Sequence, residues 1–426
     1  MSRLHPDDAR AFWLAPKTRS DQFLLYAFSP VGSDVDAVVD HLLDRAARIG
    51  DLNLVVRETF AALDYPYWKR VRARRDQIVV RGGISDWRAC LDDVAGLIAD
   101  QVDARVQAWR IHLYPHILGA PDDRGPCSVA VLQISHALAD GRRSAAIARE
   151  LFGIDDLPAA SNIRGRREES MTAAATGLLR VPGQLGGIVV RGRRAYRLTA
   201  LDGPGPAPAA PGPLNTAPGV DRLLRVVVVD AAALRIGGHS VTAGAIVVIG
   251  RALVGAGIVG ADDPLVVELT ISRDPNPGTR NNFFTAAVDT HPGIADPALR
   301  AAAVAASIDD ARRRDGSPGA VASRHAAAST PAVLMRWGTS FFDATARTGT
   351  VTGHTVVSSV NRGGADLVLG GGRVRFTTGF PALSSMQGMT HGVHGIGSSV
   401  AISVTTSRSV VSDVDAYVAH LRRELS

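Results

Sequence analysis

The sequence predicts a mixed α/β protein of two lobes, and three observations carry that prediction. Strand-like and helix-like stretches alternate along the chain, as they do when helices cover sheets. A chain of 426 residues is long enough for more than one packed unit at about 150 residues per domain. One composition break, residues 201–219 with six prolines, divides it into nearly equal halves. Proline lacks the amide donor and fixes φ, so this stretch is neither helix nor central strand but an extended connector. The expected division is 1–200, a linker at 201–219, and 220–426.

The elements follow in order. Residues 22–29 (QFLLYAFS) read as a strand. Residues 34–48 space their apolar side chains three and four apart, which predicts a helix with Ser33 as its N-cap. Strands are expected at 53–58, 77–81, 108–114 and 127–134, and helices at 86–102 and 142–152. In the second half, strands are expected at 222–229, 265–271, 354–360, 373–378 and 399–405. Helices are expected at 241–255 and 296–314, with a last one from Ser412. Residues 164–197 place arginines at 164, 166, 167, 180, 191, 193, 194 and 197 around an apolar centre. That reads as a solvated connector or as a patch for peripheral contact with a membrane surface or an acidic ligand.

Composition narrows the function classes. Apolar residues at 46% and charged residues at 21% exclude a disordered or fibrous chain. The net charge is +6, and because Lys17 and Lys69 are the only lysines, nearly all the positive charge is arginine. Guanidinium forks suit phosphates and carboxylates. Aromatic residues at 5% give too few stacking platforms for single-stranded nucleic acid, so no nucleic-acid partner is expected. Cys90 and Cys127 cannot form a disulfide framework. The opening carries Asp7 and Asp8 and no apolar run, so a signal peptide is not expected. Residues 241–259, the most apolar long window, are broken by Arg251 and read as a buried helix rather than a span. A cytoplasmic protein, peripheral at most to the inner membrane face, is the expectation.

The motif that carries chemistry is VLQISHALADG at 131–141. An apolar strand runs into Ser135, His136, Asp140 and Gly141, and a helix follows. Histidine titrates near neutrality and is the commonest general base, so His136 is the candidate base. Asp140 could pair with an arginine and pin the loop, and Gly141 would permit the tight corner. His391 and His394 have the spacing of a metal pair, but the surrounding glycines predict a loop and no carboxylate or cysteine lies near. No metal is expected there; a plain loop or a channel lining is. Asn281 and Asn282 are candidates for substrate hydrogen bonds or for a turn. Neither a P-loop nor a nucleophile elbow occurs in the sequence.

With these residues in view, the chain resembles the bacterial wax ester synthase/diacylglycerol acyltransferase family. That family belongs to the chloramphenicol-acetyltransferase-like superfamily, which also holds condensation domains. The resemblance runs through LHPDDARAFWLAP at the start, the His136 motif, and SVTAGAIVVIGRALV at 240–254. It continues through LTISRDPNPGTRNNFFTAAVD at 269–289, TVVSSVNRGGADLVLGG at 355–371, and the closing segment. There are departures. Ser135 stands where the family has a first histidine, Thr242 and Ala243 where it has Asn-Asp, and Ser358 to Arg362 where it has Ser-Asn-Val-Pro-Gly.

The resemblance implies two chloramphenicol-acetyltransferase-like lobes, each a mixed sheet with flanking helices, and an active-site tunnel between them. It implies O-acyl transfer from an acyl-CoA or acyl-carrier thioester to an alcohol or lipid acceptor, with His136 as general base. Asp140 would be structural and ion-paired with Arg273. Substrate contacts would come from Ser135, Arg273, Asn281, Asn282, His391 and His394. No metal or redox cofactor is implied, with acyl-CoA as co-substrate. Two other readings stand beside it: carrier-protein-dependent condensation, and lipid binding without catalysis on the same fold.

Overall fold

The strand of residues 22–28 alternates between two cores, and the architecture grows from that alternation. A computed structural model describes residues 2–32, 34–158, 170–274, 276 and 278–426. The first half runs β1 (Ser2–Arg3), α1 (Pro6–Thr18), β2 (Gln22–Phe28), α2 (Val35–Arg48), β3 (Leu54–Arg57), β4 (Tyr67–Arg70), β5 (Ile78–Val80), α3 (Trp87–Leu97), β6 (Trp109–Ile117), β7 (Cys127–Ile134), α4 (Gly141–Phe152) and α5 (Ser170–Thr199). The second runs β8 (Arg222–Asp230), α6 (Val241–Gly255), β9 (Val266–Ser272), β10 (Phe283–Asp289), α7 (Pro297–Asp315), α8 (Pro318–Ala327), α9 (Ala332–Ser340), β11 (Thr355–Asn361), β12 (Val368–Leu369), β13 (Gly372–Gly379), β14 (Thr390–Ile396), β15 (Ser399–Ser407) and α10 (Val414–Arg423).

Two mixed sheets result, as the sequence predicts. The first has the order β12-β13-β2-β7-β6-β5 and the second β10-β9-β11-β14-β15-β8; a small third sheet holds β1, β4 and β3. Tyr26 and Phe28 of β2 face the core under α2 and α4, with Leu42, Leu151 and Phe152. Phe23, Leu25 and Ala27 face the other way. There they meet α3 through Leu91 and Val94, and the second lobe through Leu224 and Val226 of β8. The period of two thus gives β2 one core inside its lobe and one between lobes. In the second lobe α6 is buried nearly all round, from Ala243 to Leu253. That explains its largely apolar text. Among the described residues no helix is long and apolar enough to cross one.

Four details differ from expectation. The cap of α2 is Asp34, whose Oδ1 accepts from Ala37 N at 2.9 Å; Ser33 lies outside the described residues. Part of 164–197 is helix α5 rather than connector, with Arg191, Arg193, Arg194 and Arg197 exposed; residues 164–169 lie outside the described residues. The expected loop around His391 and His394 is the central strand β14, where glycine lets the neighbouring chain close in. A Cβ at Gly392 would stand 2.5 Å from the Gly379 carbonyl oxygen. Finally, the division at 201–219 does not separate the sheets. β12 and β13 come from the second half yet complete the first sheet, where β13 pairs antiparallel with β2.

Candidate active site

The strand-to-helix corner is built by a cap. Asp140 is the N-cap of α4, and its Oδ1 accepts from Arg143 N at 2.9 Å. Its Oδ2 accepts from Asn282 N at 3.0 Å, and its own amide donates to Arg280 O at 3.0 Å. The corner is therefore clamped to residues 280–282 of the second lobe. Asp140 caps the helix, but among the described residues it has no arginine partner, which corrects the expected pair with Arg273. Arg273 instead makes a bidentate ion pair with Asp315, both bonds 2.8 Å, and lies over the Phe284 ring. Backbone amides engage both oxygens of Asp140, and Asp315 holds the guanidinium away from it. Arg280 and Arg143 share Asp51, which adds a second tie across the same corner.

The clamp presents His136. Its Nδ1 lies 2.6 Å from Asn281 Oδ1. The Asn281 amide nitrogen donates to Asp8 Oδ1 at 2.9 Å and to His136 O at 2.8 Å. Both of those partners only accept, so the amide nitrogen must face them and the amide oxygen must face the ring. Nδ1 therefore carries the hydrogen, and Nε2 keeps its lone pair. Nε2 has no partner among the described residues. Asn281, expected to touch substrate, orients the His136 ring and also stands in a cavity wall. Asn281→Ala is expected to lower kcat on the order of 10- to 100-fold, the worth of a hydrogen bond to a group that becomes charged. KM should stay nearly constant, which steady-state kinetics would check.

Asp8, which the sequence left without a role, anchors the arrangement. It is 2% exposed and also accepts from the Arg280 and Asn281 amides. Burial raises its carboxyl above the usual range, against those hydrogen bonds.

Two cavities meet at the His136 ring. One, of about 290 Å³, is walled by Gln22, Gly141, Ser358, Arg362, Phe380 and His394 among others. The other, of about 470 Å³, is walled by Arg10, Leu14, Arg273, Asn281, Phe284 and Arg324 among others. Ser20, His136 and Phe283 belong to both. A hydroxyl entering by one and a thioester by the other would meet at Nε2.

The remaining candidates divide. Gly141 lines the first cavity; its φ is not left-handed, and a Cβ there would come 3.2 Å from Val360 Cγ2, a contact that Val360 must shift slightly to admit. Ser135 is 1% exposed, its carbonyl accepts from Leu138 N and its Oγ from Ala137 N at 3.4 Å, and it is not among the residues that line the two cavities. Asn282 is spent on Asp140 and on the Asp274 carbonyl. His394 lines the first cavity, but His391, three residues away on a strand, points to the opposite face. His391 bonds the Tyr417 hydroxyl at 2.8 Å, and burial pushes its imidazole down to about 3. The two imidazoles cannot share a metal, and no cluster of metal-ligating side chains occurs among the described residues.

Asp21 also lines the first cavity. Burial raises its carboxyl to about 6, although Val102 N and Gln133 Nε2 donate to it. A carboxyl held more basic in the folded chain than the unfolded one adds stability below about 4 and loses it as pH rises through about 6. Asp21→Asn keeps an accepting oxygen and removes that loss. It is expected to be more stable than the parent at pH 7 by on the order of 2–3 kcal/mol. Urea midpoints of the two should converge toward pH 4.

The WS/DGAT C-terminal domain family matches residues 278–426, which span Arg280 to Asn282 and the wall strands β11 and β14. The resemblance read from the sequence therefore stands, in a divergent chain. No curated protein matches the sequence. The wax ester synthase/diacylglycerol acyltransferase from Marinobacter aquaeolei VT8 shares the fold at TM-score 0.61 and 16% identity, over 100% of this chain and 98% of that one. The starter condensation domain of rhizomide synthetase, in complex with C8-CoA, does so at TM-score 0.56 and 14% identity, over 100% and 92%. The trichothecene 15-O-acetyltransferase from Fusarium sporotrichioides does so at 0.57 and 10%, over 100% and 94%. The fold these structures share is thus the two-lobed one expected from the sequence.

Proposed function

We propose that the protein is an O-acyltransferase that moves an acyl group from a thioester donor, acyl-CoA, to the hydroxyl of an alcohol or lipid acceptor. One observation carries this reading: a histidine with a lone pair fixed on Nε2 stands where two cavities meet. Nε2 removes the proton as the acceptor oxygen attacks the thioester carbonyl. The tetrahedral intermediate collapses, the carbon–sulfur bond breaks, and the protonated ring returns its proton to the leaving thiolate. While His136 is charged, Asn281 Oδ1 accepts from Nδ1–H and steadies the imidazolium; Asp8 holds that amide in place. No cofactor is needed for these steps.

The C-terminal domain match and the neighbours named for acyl transfer or C8-CoA support the same chemistry. The test is thiol release from a panel of acyl-CoAs of graded length, each with and without alcohols of graded polarity. Release that depends on both partners is expected. Binding of lipids with no release from any pair would overturn the reading in favour of a non-catalytic lipid binder. Release from acyl-carrier thioesters alone would overturn CoA as the donor.

A further inference from the structure

The cavity of about 290 Å³ contains a cation that the reaction above does not use. Arg362 follows β11, is 3% exposed, and sits in the cavity wall with His394. Its Nη1 is satisfied by Thr377 Oγ1 and by Thr378 O at 2.9 Å. Its Nε is shut away from solvent with no partner, and Nη2 makes no hydrogen bond among the described residues. No described carboxylate lies within ion-pair distance of it. Its nearest aromatic companion is the Tyr26 ring, 5.2 Å from the guanidinium carbon.

Other buried arginines are treated differently. Arg375 has the Asp122 carboxylate in a bidentate pair. Arg45 has no carboxylate but aims Nε, Nη1 and Nη2 at the carbonyls of Glu150 and Asp155. Arg362 alone of these three leaves an edge of its fork unfilled, and it is the one in the wall of the cavity. Burying an uncompensated cation is expensive, and a protein that keeps one needs a counter-charge from elsewhere.

The neighbours do not supply it. His394 also has a buried nitrogen without a partner, Nδ1, and burial together with Arg362 holds its ring neutral, so it adds no positive charge. Thr378 Oγ1 and the hydroxyl of Tyr26, whose ring lies against the guanidinium, are two more buried polar atoms without a partner, and neither supplies a counter-charge. The two carboxylates in the same wall are engaged elsewhere. Asp21 is held by Val102 N and Gln133, and Asp140 by Arg143 N and Asn282 N.

We propose that the acceptor taken in this cavity carries an oxyanionic group, a carboxylate or a phosphate monoester, which seats on Nη2 of Arg362 while its hydroxyl faces His136. The inference rests on the acyl-transfer reading and names the acceptor class within it: hydroxy acids or phosphorylated alcohols rather than plain fatty alcohols. A guanidinium N–H donates to either group in a charge-assisted hydrogen bond. Ser358, Val356 and Phe380 would line the path of the rest of the molecule.

The test begins with equilibrium binding by calorimetry to the full chain, with no acyl donor present. The probes are 3-hydroxyoctanoate against its methyl ester, and glycerol 3-phosphate against glycerol. The charged member of at least one pair is expected to bind about 10- to 100-fold more tightly, as a hydrogen-bonded ion pair in a buried site implies. Which pair shows the gap distinguishes carboxylate from phosphate. Equal binding within both pairs would overturn the proposal without any variant being made.

Arg362→Met should erase the gap and Arg362→Lys should keep part of it, with thermal melting as the check on folding. A gap that survives Arg362→Met would overturn the assignment. So would a uniform fall in kcat with every acceptor at constant KM, which would place the guanidinium at the reacting oxyanion instead. Anion binding without thiol release on any donor would leave Arg362 standing and reject the acyl-transfer reading, so the two can fail separately.

Discussion

His136→Ala is expected to lower thiol release by about 10²–10⁴-fold, the usual worth of a positioned general base. The loss should fall on kcat, because in the proposed reaction Nε2 would act as the acceptor oxygen attacks rather than in holding the ground state. The fold should survive. The side chain stands between two cavities and its one hydrogen bond to a described side chain is with Asn281, so its removal strands little. Far-ultraviolet circular dichroism and the melting temperature would confirm an intact chain. Residual turnover from positioning alone is compatible with the mechanism; turnover equal to the parent is not.

The second large effect is structural. Asp122→Ala is expected to cost about 3–5 kcal/mol of stability, measured by urea unfolding. Arg375 lies in β13 with its side chain 4% exposed, and Asp122 lies in the β6–β7 connection with its side chain 8% exposed. The pair is bidentate, and Arg375 Nη1 also donates to Pro126 O at 2.8 Å. Removing the carboxylate leaves a buried guanidinium with carbonyls alone. Replacing both partners by apolar residues, Arg375→Met with Asp122→Leu, should recover most of the loss, since the ion pair itself adds little beyond its own desolvation. A single variant as stable as the parent would show that Arg375 finds water.

Most strands and helices were legible because they rest on local periodicity. Residues 22–28 and 127–134 are continuous apolar runs and prove buried on both faces. The motif also placed Asp140 at the corner, where it caps α4. What the sequence hid was pairing over distance. Asn281 reads as a substrate ligand because its partner in sequence is only Asn282; Asp8 and His136 reach it from 273 and 145 residues away. Arg273 is matched to Asp140 only by resemblance, and its partner, Asp315, lies 42 residues further on. β14 was hidden by its own glycines, which signal loops in isolation and close packing in a sheet. Arg362 was visible only as a departure from a familiar motif, and its meaning depends on what does not surround it.

The strand that crosses from the second half into the first sheet limits how this molecule can be handled and how it can work. Cutting the chain at 201–219 would leave β2 with an open edge and β13 without a sheet, so halves made separately should aggregate rather than fold. It also ties the lobes together. They are stitched on one side by β13 and on the other by the contact between Asp140 and residues 280–282. If the protein is the acyltransferase proposed, its ligands would reach His136 through the two cavities without those ties breaking. Side chains in the two cavity walls would then set the substrate range, and exchanging them would be the simplest route to changing it.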